Sequence, residues 1–484
     1  VLAVPVFAVI PNQREVVYSA EKSILPSVMK RSDTEAYPKH DLTTGSITRS
    51  IFYLALPVVA TMFLETAFSI ADMFWVGKLG AVSLAAVISS AFLIWIIYSL
   101  VGAVSIGVTA LVARFIGAKQ PDQAAFSARQ AYLFSIVFAI CLTVPGVLFT
   151  KWAFVLMGTA PDVTHLGIRY LRIIFAGAIT FFLIDVFSAL FRASGDTRTP
   201  MLVIGGSLAL NIILDPFLIF GWGPFPRLGT DGAALASVVS QCLGSLLFIL
   251  LVRRGRLSFK FSLVPKWDLD FSIVWRILRI GIPASSAWIL FSVVYLFINK
   301  IVALFGTDAI AALGIGNRME SVSFLTCMGF STAASTLVGQ NLGAGKPERS
   351  AQAAWRTAGI SVLVTGFVAT MFLAFPRQIA SFFISDPRVI EIGIGYLRIL
   401  ALSQTFMALE IVFEGAFGGA GNTVPPMIVS IAGSAARIPL AYLLAVHWGI
   451  GVNGVWLAIT STSIVKGIVL ALWFRRGRWS SQRI

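Results

Sequence analysis

Twelve stretches of this sequence are each predominantly apolar for about 20 residues or more, the length at which a helix crosses the hydrocarbon core of a bilayer. Nothing else in the chain restricts its fold as much. Lipid offers the backbone no water, so a spanning segment must satisfy its own amides as a helix or close into a barrel. These runs are too long and too uniformly apolar for barrel strands, which alternate over about ten residues. The expected fold is therefore all-α and polytopic, with transmembrane spans at 51–75, 85–112, 128–150, 167–192, 200–221, 231–252, 276–304, 309–338, 352–374, 390–418, 424–448 and 453–474. Composition agrees, since only 12% of residues are charged, against about 25% in a soluble domain.

The formal net charge of +15 would suit a nucleic-acid binder, but its placement argues otherwise. If residues 1–50 are cytoplasmic, that side carries most of the 37 Lys and Arg, densest between Arg253 and Arg279. The positive-inside rule then places both termini in the cytoplasm, and topology accounts for the charge without nucleic acid. Cys141, Cys242 and Cys327 fall inside spans, with no disulfide or metal spacing. The opening VLAVPVFAVI is apolar for too few residues, and lacks the cleavage site, for a signal peptide. Residues 11–46 read as a polar cytoplasmic arm, with an amphipathic contact to the membrane surface as the alternative.

The two halves match at a single shift of 226 residues. Pro57 meets Pro283, Gly80 meets Gly306, Gly117-Ala118 meets Gly343-Ala344, Pro121 meets Pro347, Gly195 meets Gly421, and Pro200-Met201 meets Pro426-Met427. Chance apolar similarity would scatter over many shifts and would not favour Gly and Pro. Each half holds six spans, an even number, so the repeats are parallel. They should form two lobes related by a pseudo-two-fold axis along the membrane normal, with a cavity between them. The expected organisation is an arm at 1–50, a first lobe at 51–252, a linker at 253–275, a second lobe at 276–474 and a tail at 475–484.

Seven acids lie in the interior of the spans, away from their first two residues: Glu65, Asp72, Asp185, Asp215, Glu320, Glu410 and Glu414. A central carboxylate costs about 2.5 to 3.5 kcal/mol on insertion, so each needs a partner, water or a proton. In the stretch NIILDPFLIF, Asn211 and Asp215 are one turn apart on one helix face, and Pro216 disfavours helical geometry at Asp215. A bend of span five is expected there. Glu65 and Asp72, two turns apart, share a face of span one. In the second half, Arg437 stands at the position equivalent to Asn211 and is expected to pair with Glu410 or Glu414, a structural ion pair or secondary site. The first half is read as offering its acids no Lys or Arg inside a span. Asp72, Asp185 and Asp215 then depend on one another, on Asn211 and on water, where desolvation and like charge favour a neutralised form.

At this point the chain resembles the multidrug and toxic compound extrusion (MATE) family of transporters, prokaryotic type, over almost all of residues 50–475. The resemblance rests on ADMFWVGKLG followed by LAA, FRASGDTRTPM, NIILDP leading to GTDGAALAS, GQNLGAGKP and GGAGNTVPPM, in this order within two repeats of six. It implies a twelve-helix exporter that expels bulky, often cationic amphiphiles by alternating access, driven by inward flow of H+ or Na+. It also implies that Asp72, Asn211 and Asp215 form the cation-coupling cluster, with Ser237 as a contributing hydroxyl; the reading of the intramembrane acids adds Asp185 to the coupling residues. Some branches of the family carry a further coupling acid on helix seven. Here that helix, IGIPASSAWILFSVVYLFINKIVALFG, has none, which favours coupling in the first lobe.

An aromatic and Met-rich substrate surface is expected to use Met62, Glu65, Phe68, Phe181, Phe182 and Ser237. The expected partners are amphiphilic small molecules and membrane lipids, the expected cofactors none beyond the coupling ion, and the expected state a monomer in the plasma or bacterial inner membrane. The rival reading is a flippase for lipid-linked oligosaccharide precursors, which would need several basic residues around the cavity; none is read in the first half. An enzyme is not expected. His40, His165 and His447 lack metal-ligand spacing, no nucleotide-binding loop is present, and Gly195-Asp196 reads as a turn.

Overall fold

The computed structural model describes residues 41–260, 262–263 and 268–482, with Phe92 and Ile96 described by backbone alone. Most of the expected arm at 1–50 therefore lies outside the described residues, as do His40 and Lys266. Among the described residues there is no strand, and every expected span is occupied by helix. The first half comprises α1 (Ile47–Gly77), α2 (Ala81–Gly117), α3 (Pro121–Met157), α4 (Pro161–Ala176), α5 (Ala178–Ala193), α6 (Arg198–Phe220) and α7 (Thr230–Arg253). The second comprises α8 (Phe271–Ala303), α9 (Thr307–Gly343), α10 (Pro347–Ala374), a short α11 (Pro376–Phe383), α12 (Pro387–Ala401), α13 (Gln404–Gly419), α14 (Val424–Tyr442), which runs into a π turn at Leu443–His447, and α15 (Val452–Arg475).

Among the described residues ten helices are each long and apolar enough to span alone, and the count reaches twelve when α4 with α5, and α12 with α13, are each taken as one bent span. The bends are 49° and 53° and fall at Gly177 and at Leu402-Ser403. Gly177 and Ser403 are equivalent under the 226-residue shift, so the break belongs to the repeat. Each break is held differently. At Gly177 the Val238 side chain of α7 fills the space a Cβ would need. At Ser403 the hydroxyl donates to the carbonyl of Leu400, 3.0 Å away, which also accepts the Ser403 backbone N–H.

Pro216 does not break the helix. One continuous helix runs from Arg198 to Phe220 with Pro216 inside it. Neighbouring helices make a proline tolerable in a membrane span, so residue type alone does not break it.

The halves interlock at one end of the bundle, where Lys119 and Lys346 lie in loops and Arg198 starts α6; we call it the basic end. The first helix of each half packs on the second helix of the other, α1 on α9 and α8 on α2. Small residues allow the approach: Gly281 meets the carbonyl of Ala103, and Gly329 meets Ala55 and Val59. Ala55 and Gly281 are repeat-equivalent, as are Ala103 and Gly329. On the axis, Gly117 lies against the backbone of Gln340 and Gly343 against that of Arg114, another equivalent pair, which demonstrates a two-fold relation between halves. A Cβ at Gly117, Gly281 or Gly343 would collide with backbone, and one at Gly329 with the Val59 side chain, so the seam is closed largely by main-chain contact.

A strap just before α1 crosses this seam. Leu42 is fully buried in the core of the second half and also lies against Gly195 of the first. Its backbone is gripped from the second half, with Asn341 donating to the carbonyl of Leu42, Lys346 to that of Thr43, and Arg349 to those of Thr44 and Gly45.

Candidate functional site

Helix α6 carries Asn211 and Asp215 one turn apart and packs on both α7 and α1. Asp215 is fully buried and Asn211 nearly so. The Asn211 amide donates to Ser237 Oγ on α7 at 3.2 Å, which fixes the amide and turns its oxygen elsewhere. Four oxygens are then buried without a hydrogen-bond partner: Oδ1 of Asp72, Oδ1 of Asn211 and both carboxylate oxygens of Asp215. Asp72 is the charged neighbour of Asp215, and buried Tyr170 of α4 lies within electrostatic reach of both. Three of the four residues expected at the coupling site, Asp72, Asn211 and Asp215, are thus brought together around unpartnered oxygens.

Asp185 belongs to a different group. Ser105 of α2 donates to its carboxylate, and the guanidinium of Arg192 lies 3.7 Å from it while donating to Ser188 at 2.7 Å. Exposed Glu65 lies in the field of both Asp185 and Arg192. The expectation that no first-half base reaches these acids is therefore corrected. Arg192 is in the last turn of α5, two turns from Asp185 and on its face, so helix geometry alone brings them together.

In the second half the expected pairing of Arg437 with Glu410 or Glu414 does not form. Lys466 of α15 takes Glu410, at 2.5 Å, with both side chains nearly buried. Ser430 donates to Glu414. Arg437 instead points to α15, donating Nε–H to Thr462 and Nη2–H to Ser463, each at 3.0 Å, with its guanidinium 5.9 Å from the Phe291 ring centre. The reason is which helices pack: α14 lies along α15 and barely touches α13. Glu320 of α9 lies in the field of Arg437, Lys466 and Glu410.

The expected substrate surface is only partly placed as such. Met62 and Phe68 are partly exposed on α1. Phe182 is fully buried against Phe138, and Phe181 packs its edge on Tyr98, so these two are core residues facing α3 and α2. Residues missed in the sequence are Tyr98, Ser105, Tyr170, Arg192, Tyr295, Tyr396 and Lys466. Lys466 and Arg192 carried a signal, as charges in or beside apolar runs; the tyrosines carried none.

The MatE family profile matches residues 57–217 and, a second time, residues 283–443, the same stretch of each repeat. The chain belongs to the MatE family. The expected family and fold are thereby established, and the chain is an integral membrane protein. This MatE chain is 32% identical to a probable multidrug resistance protein NorM of Thermotoga maritima, covering 92% of this chain and 96% of that one. It is 28% identical to a FAD transporter of Shewanella oneidensis, over 89% and 95% of the two chains. A solved structure of an outward-facing multidrug resistance MATE family transporter of the MOP superfamily superimposes with a TM-score of 0.84 at 25% identity, covering 93% of this chain and 99% of that one. The relatives are transporters, most of them described as multidrug resistance proteins.

Proposed function

We propose that this chain is a secondary exporter of amphiphilic, often cationic compounds, in which Asp72, Asn211 and Asp215 bind the coupling ion. The observation that carries this reading is Asp215 itself, fully buried with neither carboxylate oxygen hydrogen-bonded. A bare carboxylate is not tolerated in such a place, so the group must hold a proton or a cation. Asp72 Oδ1 and Asn211 Oδ1 are further hard oxygen donors of the kind Na+ prefers, and a proton shared between two neighbouring acids serves equally well.

Antiport then follows from electrostatics. With the ion bound, the cluster is neutralised and attracts a cationic substrate less; after the ion leaves, the charge returns. Each ligand weakens the other's binding by the same factor, which is the reciprocity that coupling requires. Exposed Glu65, with partly exposed Met62 and Phe68 on α1, supplies a charged and apolar surface beside the cluster. The basic end is the cytoplasmic one, by the positive-inside rule, so the seam closed there leaves access from outside.

The test is efflux of a fluorescent cation from proteoliposomes under a pH gradient or a Na+ gradient imposed separately. Asp215→Asn, isosteric and uncharged, should keep the fold and reduce gradient-driven efflux by about tenfold or more. Efflux at the native rate in Asp215→Asn and in Asp72→Asn would remove the mechanism. The flippase reading is less well supported: of the buried bases Arg437 and Lys466, the second is already paired with Glu410.

A further inference from the structure

The ion cluster of the first half has a counterpart position in the second, and a different chemistry occupies it. Asn211 becomes Arg437 and Ser237 becomes Ser463, and the hydrogen bond between them is kept, at 3.2 Å in one half and 3.0 Å in the other. Tyr170 becomes Tyr396, again buried. The two acids are gone: Asp72 is replaced by Ile298 and Asp215 by Ala441, both fully buried. The scaffold of the site is thus preserved while its anionic oxygens are deleted and a fixed positive charge is installed. Arg437 is 2% exposed, and among the described residues no carboxylate forms an ion pair with it.

We propose that Arg437 is a tethered cation that permanently replaces an exchangeable ion in the second half's copy of the site. The second half then stays in the equivalent of the ion-loaded state, and only the first half binds and releases an ion in each cycle. The surrounding charges give the guanidinium a task. Glu320, Glu410 and Glu414 face Lys466 and Arg437, with Tyr295 and Tyr396 completing the group. Lys466 is engaged by Glu410 and Glu414 accepts from Ser430, so Glu320 is the acid that Arg437 offsets through space. A guanidinium suits this role because it is never deprotonated and carries enough donors to hold Thr462 and Ser463 simultaneously.

The inference rests on the first-half coupling reading, and the experiment separates the two. Coupling stoichiometry is measured in proteoliposomes as the substrate gradient at which a set ion gradient just fails to drive net movement. Arg437→Lys keeps the charge and should transport with the native stoichiometry. Arg437→Gln should transport about tenfold more slowly or worse, a difference that packing alone would not produce given the rescue by Lys. Arg437→Gln combined with Ala441→Asp restores an amide and an acid like those of the first half, and should add one coupling ion per cycle. The proposal is overturned if Arg437→Lys fails like Arg437→Gln, if Arg437→Gln transports normally, or if the double variant folds and keeps the native stoichiometry. Asp215→Asn is measured in parallel. Unimpaired coupling there refutes the first-half reading alone, whereas the Arg437 series reports on the second.

Discussion

Lys466 shows how closely charge and shape are joined in this protein. Its ammonium pairs with buried Glu410, and its aliphatic stem lies where Gly433 has no side chain. Removing one member of a buried pair leaves the other uncompensated, so Lys466→Met should destabilise by about 3 to 5 kcal/mol. Adding Glu410→Gln should recover most of that loss, measured by thermal unfolding in detergent. A double variant no more stable than the single would show that the pair itself does not matter. The sequence made Asp72, Asn211 and Asp215 legible because polar groups stand out in apolar runs and their cost demands a purpose. It hid Tyr98, Tyr170 and Tyr396, because an aromatic in an apolar run has the same signature whether it packs or serves a site. The partner of Arg437 was illegible for another reason. Helical spacing gives the face a residue occupies, but which helix covers that face is settled only by tertiary packing.

The helical elements were legible almost completely, because hydrocarbon leaves so few alternatives. Their interruptions were not. Pro216 attracted attention and lies in an unbroken helix, whereas the breaks fall at Gly177 and Ser403, neither flanked by proline. The two breaks should answer differently to substitution. Gly177→Val sets a side chain where Val238 already sits, so overpacking should cost about 1 to 3 kcal/mol. Ser403→Ala loses a single hydrogen bond and should cost about 0.5 to 1.5 kcal/mol. A loss below about 1 kcal/mol for Gly177→Val, or above about 1.5 kcal/mol for Ser403→Ala, would mean that the bends are not held in the way described.

At the scale of the molecule, alternating access requires the glycine seam at the basic end to part. Ala118 and Ala344 are repeat-equivalent residues beside it, and the backbone of Ala118 lies close to Gly343. Cysteines at both positions, in a chain first freed of Cys141, Cys242 and Cys327, should cross-link under mild oxidation and stop transport, with recovery on reduction. Transport that continued in the cross-linked protein would mean that the halves do not separate there. The 226-residue shift foretold the symmetry, but not that the first helix of each half would rest on the other half. Small residues facing small residues look like ordinary composition until the two backbones are seen together.

That exchange of helices has a consequence for how the protein is made. Gly329 is synthesised 270 residues after Val59, which it touches. At roughly 5 to 20 residues per second, α1 waits about 15 to 50 s before its partner on α9 leaves the ribosome. Throughout that interval it sits in the bilayer with its closest-packing face covered only by lipid. Assembly of the seam is thus a late event that neither half can complete alone, and a chain stalled in its second half leaves behind a first lobe whose leading helix still lacks its place.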